Sequence, residues 1–145
     1  MDITFNFLSP VSLTQRQKLK TFILLLIKKE KRSLNYLNVI FCSDPYLLKI
    51  NKEYLFHNYF TDIITFSYAK EKSVVIEGDI YISVDTVRKN AARFNNTINH
   101  EIHRVIFHGA LHLCGFKDKN LRDQAIMTAK ENEYLDMYFA KLATN

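Results

Sequence analysis

His108-Gly109-Ala110-Leu111-His112-Leu113-Cys114-Gly115-Phe116-Lys117-Asp118 carries two imidazoles four residues apart. On a helix they leave one face a single turn apart and can converge on one ion. Gly115 then reads as the helix stop, because a left-handed residue past the last turn is unstrained only for glycine and reverses the chain. That reversal can bring Asp118 back towards both histidines as an oxygen donor. Two imidazoles and a carboxylate leave a tetrahedral ion one open position, the mark of a catalytic rather than a closed structural zinc site. The competing reading is a packed, hydrogen-bonded histidine pair with no ion.

Working outward, residues 102–114 are apolar nearly all round (Ile102, Val105, Ile106, Phe107, Ala110, Leu111, Leu113, Cys114), which predicts a buried helix. Buried imidazoles need partners for both nitrogens, and a shared ion serves two rings at once. Cys114, two residues beyond His112, falls on the opposite face and reads as a core thiol. His100 and His103 read as surface or capping residues. Arg104, four before His108, is the candidate catalytic side chain, able to meet a phosphate or a carboxylate. Glu101 shares the histidine face but lies about 10 Å along the axis from His108, so it reads as structural or as a partner behind the ligands.

The segment His108-Gly109-x-Leu111-His112-Leu113-x-Gly115-Phe116 resembles the signature HGxLHLxGYDH of the YbeY family, bacterial metal-dependent endoribonucleases of ribosomal RNA maturation. Asn51-x-x-Tyr54, Thr61-Asp62-Ile63-Ile64-Thr65-Phe66 and Gly78-Asp79-Ile80-Tyr81-Ile82-Ser83 resemble further family segments in the same order. Four positions depart from the pattern. Asp118 replaces the last motif histidine, Lys117 the Asp before it, Leu55 the Arg that commonly follows the Tyr, and Phe60 the Pro before Thr-Asp. Asp118 keeps a donor at the third ligand position, whereas Leu55 gives no support to carrying over a phosphate contact there. The resemblance implies a single-strand-specific endoribonuclease that matures the 3′ end of small-subunit rRNA and takes part in ribosome quality control. RNA, as rRNA and ribosomal particles, is the implied partner.

The 145 residues suit one domain, 1–145, and 48% hydrophobic content excludes a disordered chain. Cys42 and Cys114 form no CxxC pair, which suits a reducing compartment. The start, Met1-Asp2-Ile3-Thr4-Phe5, is acidic with no cleavage site after an apolar core, so no signal peptide is expected. Phe22 to Ile27 is too short an apolar run to span a bilayer. A cytoplasmic protein without membrane contact is the expectation. The net charge of +5 is concentrated in residues 1–33, which carry seven basic and two acidic groups. Lys28, Lys29, Lys31 and Arg32 therefore read either as a nucleic-acid-binding patch or as complements to a helix C-terminus.

In chain order, Ile3 to Leu8 alternates as a strand, and Ser12-x-x-Gln15 reads as a capping box opening a helix over about residues 13–31. Tyr36 to Phe41 reads as a second strand. Asp44-Pro45 reads as N-cap and first residue of a helix reaching about Tyr54. Leu55 to Phe60 is read as an aromatic loop holding His57, Asn58 and Tyr59, where Tyr or Phe could stack a splayed base and where core packing explains Phe56 and Phe60 equally well. Asp62 to Tyr68 and Gly78 to Val84 read as strands joined by a hairpin or exposed connection. Ser83 or Asp85 caps a helix through Phe94, Thr97 caps the histidine helix, and Asn120 caps a last helix to about Lys141. The fold class expected is α+β: one domain, a four-stranded sheet packed with about five helices in one layer, and the metal site on a central buried helix.

Zn²⁺, one per chain, suits the donor set, with Ni²⁺ a substitute. A dication there lowers the pKa of bound water from about 16 to about 7 in the best cases and polarises a phosphoryl oxygen. Two alternatives stand beside the nuclease: an RNA-binding ribosome-assembly factor with a structural metal, and a zinc metallopeptidase. Gly109 weakens the peptidase reading, since the H-E-x-x-H motif has its general base there; the glycine can instead let substrate or another backbone approach the metal. No residue is named as general acid or base, and the sequence leaves the oligomeric state open.

Overall fold

A computed structural model describes residues 2–55 and 61–143. The reading of residues 56–60 as an aromatic loop, with His57, Asn58 and Tyr59, lies outside them. Four strands, β1 (Asp2–Phe7), β2 (Ser33–Cys42), β3 (Ile63–Ser67) and β4 (Val75–Ser83), form a mixed sheet in the order β1-β2-β4-β3. β2 runs parallel to both β1 and β4, and β3 returns antiparallel along β4. The helices are α1 (Arg16–Lys29), α2 (Asp44–Tyr54), α3 (Val84–Arg93), α4 (Ile98–Leu113) and α5 (Leu121–Ala143). None is long and apolar enough to cross a membrane.

Alternation along the strands sorts the core into two faces. Leu37, Val39 and Phe41 of β2 and Ile80 and Ile82 of β4 are fully buried in one cluster with Leu19, Ile23 and Leu26 of α1, Ile106, Phe107 and Leu111 of α4, and Tyr134 of α5. The opposite face carries Ile64, Phe66 and Tyr81, which pack with Leu47 and Ile50 of α2 and with Leu55. The sheet is thus covered on both sides, not by the single helical layer expected. Leu55, in place of the family's Arg, is absorbed into this second cluster.

Two caps differ from their sequence reading. Gln15 is the N-cap of α1 in a left-handed conformation (φ 51°) and makes no side-chain cap bond, so the Ser12–Gln15 capping box does not form. Burial of Leu13 draws the chain into the core before the helix begins, and the Arg16 Nε donates to the Leu13 carbonyl at 3.0 Å. For α2 the N-cap is Ser43, whose hydroxyl accepts from the Tyr46 amide at 3.3 Å, not Asp44. The Asp44 carboxylate serves α3 instead: it accepts from the hydroxyls of Ser83 and Thr86 (2.6 Å to the latter) and from Lys89 (3.2 Å). Ser83 also caps α3 through the Thr86 amide, Thr97 caps α4 through the His100 amide, and Asn120 accepts from the Asp123 amide.

His103 is not a surface residue. It is 2% exposed, its Nδ1 lies 2.6 Å from the Asn99 carbonyl, and its ring stacks on Tyr138 with centroids 5.1 Å apart. Burial moves its pKa below the usual imidazole value. α5 is long enough to lie along the N-terminal half of α4, where Tyr138 and Phe139 cover His103 and Phe139 stacks against the half-buried His100.

Candidate metal centre

The last turn of α4 and the chain beyond it build the site. Cys114 is the C-cap, Gly115 follows at φ 104°, the Gly115 amide donates to the His112 carbonyl at 2.9 Å and the Phe116 amide to the Leu111 carbonyl at 3.1 Å. This is the Schellman pattern, and it turns the chain back over the helix end. The Phe116 carbonyl then faces His112 Nδ1 at 2.9 Å, and Asp118 Oδ2 reaches His108 Nε2 at 3.3 Å and His112 Nε2 at 3.2 Å. His108, His112 and Asp118 are therefore brought together as the sequence suggested, and they are the one His/Cys/Asp/Glu group able to share an ion among the described residues.

The donor set fits a cation. A carbonyl can only accept, so His112 Nδ1 carries the proton and its Nε2 presents a lone pair. His108 Nδ1 faces the Glu131 carboxylate at 2.6 Å, which fixes the same tautomer. In that tautomer the two Nε2 lone pairs, 3.0 Å apart, meet a carboxylate oxygen at a point where a cation can be shared. Ligands about 2.0–2.1 Å from a tetrahedral ion stand about 3.3–3.4 Å from one another, close to these three separations. Asp118 is about a third exposed, whereas His108 and His112 are more enclosed, so the open side of the triangle faces solvent.

Behind the ligands lies a buried charged chain. Glu131 is 5% exposed and holds His108 with one oxygen while its other accepts from Arg104 Nη1 at 3.0 Å. Arg104 also grips the fully buried Glu101 in a two-point contact, Nε to Oε1 at 2.9 Å and Nη2 to Oε2 at 2.5 Å, with Asp62 Oδ2 3.8 Å away. Its donors are thus committed to carboxylates, which makes Arg104 a positioning residue for Glu131 and, through it, for His108. Glu101 stands in the supporting place read for it. Glu131 was missed by sequence reasoning, although the signal existed: Met127, Glu131, Tyr134, Leu135 and Tyr138 share the buried stripe of α5, and a carboxylate in such a stripe needs a partner.

Other candidates are distributed differently. Gly109 does not open a path to the metal; a Cβ there would lie 2.9 Å from side-chain atoms of Ile63 and Ile80, so it seats α4 against the sheet. A glutamate at this position would be driven into that core, which removes the peptidase geometry. The Cys114 thiol is buried, with its pKa pushed up to about 12 mainly by burial, and is inert. Of the basic patch, Lys29 pairs with Glu133 of α5 at 3.1 Å, Lys28 and Lys31 are exposed, and Arg32 turns towards the β3–β4 connection to donate to the Ser73 carbonyl at 2.8 Å.

Known proteins resemble this chain along most of its length. The model of the family described as Endoribonuclease YbeY matches residues 8–139. A protein of that description from Cytophaga hutchinsonii is 48% identical over 125 residues, 86% of this chain and 87% of the relative. Another from Flavobacterium johnsoniae is 42% identical over 136 residues, covering 94% and 96% of the two chains. The solution structure of a Thermotoga maritima protein superposes with a TM-score of 0.64 at 27% identity, covering all of this chain and 93% of that one. With its signature residues gathered at one end of α4, this chain belongs to the endoribonuclease YbeY family.

Proposed function

We propose that the protein is a metal-dependent, single-strand-specific endoribonuclease of the cytoplasm. It acts on ribosomal RNA and ribosomal particles, in maturation of the small-subunit rRNA 3′ end and in ribosome quality control. The observation that carries this reading is the convergence of His108 Nε2, His112 Nε2 and Asp118 Oδ2 on one point in a chain of this family. Zinc is the ion best suited to two imidazoles and a carboxylate, at one per chain, with nickel able to substitute.

A dication held there supplies a Lewis acid and a water acidified towards neutrality. The chain's own part is orientation. Glu131 and the Phe116 carbonyl hold the two imidazoles in the tautomer that ligates, and Arg104 with Glu101 holds Glu131. Lys28 and Lys31 lie exposed at the exit of α1 as cations available to phosphate, whereas Lys29 is paired with Glu133 and Arg32 is held at the Ser73 carbonyl. Because a water rather than the ribose 2′-hydroxyl attacks phosphorus, the fragments should carry no 2′,3′-cyclic phosphate.

The test is incubation of metal-loaded protein with a single-stranded RNA, with and without chelator, and analysis of the fragment ends. His108→Ala should lower metal occupancy and cleavage together by at least about 100-fold while leaving the fold intact, as expected for loss of a catalytic-site ligand. Cleavage that survives both chelator and His108→Ala would sink the metal mechanism. Binding without cleavage under metal-replete conditions would favour the assembly-factor reading.

A further inference from the structure

We propose that an unpaired RNA strand lies in the groove between the β3–β4 turn and the end of α4, its phosphates held by Lys70, Lys72 and Lys117 with Arg32 at the base; this deepens, and rests on, the nuclease reading. The groove encloses about 540 Å³ and is lined by those four cations against one acid, Glu71. Lys70, Lys72 and Lys117 are exposed, and among the described residues none has an ion-pair partner. Arg32 ties the walls together, donating to the Ser73 carbonyl on one side while its Nη2 would stand 3.3 Å from a Cβ on Gly115 on the other. Leu113, Gly115 and Lys117 of the groove alternate along the chain with His112, Phe116 and Asp118 of the candidate metal centre, so one short segment serves both.

The Ser73 amide donates to the Lys70 carbonyl at 3.0 Å, closing a four-residue turn in which Lys72 adopts φ 64°. A left-handed third position suits glycine, so the fold keeps a cation where the backbone would be easier without a side chain. The groove's inner wall is apolar, with Val75, Ile76 and Leu113. A cationic rim over an apolar wall suits a strand whose bases are splayed out, not a duplex whose bases are turned inward.

The test measures binding of the metal-loaded protein to a hydrolysis-resistant phosphorothioate single strand across a salt series, alongside cleavage of ordinary RNA. Each lost phosphate contact removes about 0.7 from the salt slope on a single strand, so Lys70→Glu, Lys72→Glu and Lys117→Glu together should lower it by about two and weaken low-salt binding at least tenfold. The same charge change at Lys18, Lys20 and Lys52, away from the groove, should leave the slope within about half a unit. Equal losses in both triple variants, or none in the groove variant, would overturn the groove while wild-type cleavage still upheld the nuclease. A wild type that neither bound nor cut RNA would overturn both. Equal affinity for a blunt duplex would overturn the unpaired-strand assignment.

Discussion

Asp44 and Asp118 are both carboxylates that stitch separate segments together, yet their surroundings are opposite. Asp44 sits between α2 and α3 with donors on every side: two hydroxyls and an ammonium. Asp118 faces two imidazole nitrogens whose protons are engaged elsewhere, by Glu131 and by the Phe116 carbonyl. The first arrangement is complete within the protein. The second gathers two imidazole nitrogens and a carboxylate oxygen around a point that a cation can occupy. A carboxylate's role is therefore read from what faces it, and each substitution below should move one region while leaving the other in place.

The largest effect is expected at Arg104. It is the only cation touching the buried Glu101 and Glu131 among the described residues, and removing one partner of such a buried group strands the others' charge. Arg104→Ala should cost about 3–5 kcal/mol of stability, read by chemical denaturation, and weaken the metal site as Glu131 is released. A loss below about 1 kcal/mol would mean the network is no more than a surface ion pair.

Glu131→Gln comes next. The amide oxygen can still accept from His108, but the charge that strengthens this imidazole as a ligand is gone. Partners of this kind are worth about 10–100-fold in metal affinity or activity, measurable by competition against a chromophoric chelator. The Asp44 region shares no hydrogen bond with Glu131 and should not register the change.

How much of this was legible depended on distance along the chain. The α4 site could be read because its ligands lie within eleven residues, and a fixed helical spacing followed by a glycine leaves few geometries. The Glu131 contact spans 23 residues and depends on how α5 crosses α4, which local pattern does not encode. His103 was misread for the same reason: only the docking of α5 buries it. The α1 cap failed because the core's hold on Leu13 outweighed a local hydrogen-bonding preference, and Arg32 left the expected patch because the β3–β4 turn offered its guanidinium a carbonyl.

Asp44 gives a smaller effect of another kind. Burial works to raise its pKa, but hydrogen bonds from Ser83, Thr86 and Lys89 outweigh it and hold the carboxyl below its usual value. A depressed folded-state pKa contributes stability that is present above the unfolded value of about 3.9 and is lost as pH falls through the folded one. Asp44→Asn should therefore lower stability at neutral pH by about 1–3 kcal/mol, the range for hydrogen bonds to a charged group, and flatten the decline below about pH 4. Metal content should be unchanged; its loss would show that the two regions are coupled.

Asp118→His is expected to change least and to sharpen the contrast most. It restores the third imidazole of the family's usual motif at a position where Oδ2 already stands 3.2–3.3 Å from both Nε2 atoms. The net charge of the ion's donors rises from minus one to zero, so the centre's overall charge rises and the ion becomes the stronger Lewis acid. Occupancy should stay near one ion per chain by elemental analysis, with any change in activity towards higher rather than lower rates. The same replacement at position 44 has no such logic, since a histidine there would put a donor or a cation among Ser83, Thr86 and Lys89. If Asp118→His lost the metal with its fold intact, an imidazole at position 118 would not reach the point where Oδ2 now stands, and the centre would depend on the carboxylate itself as its third donor.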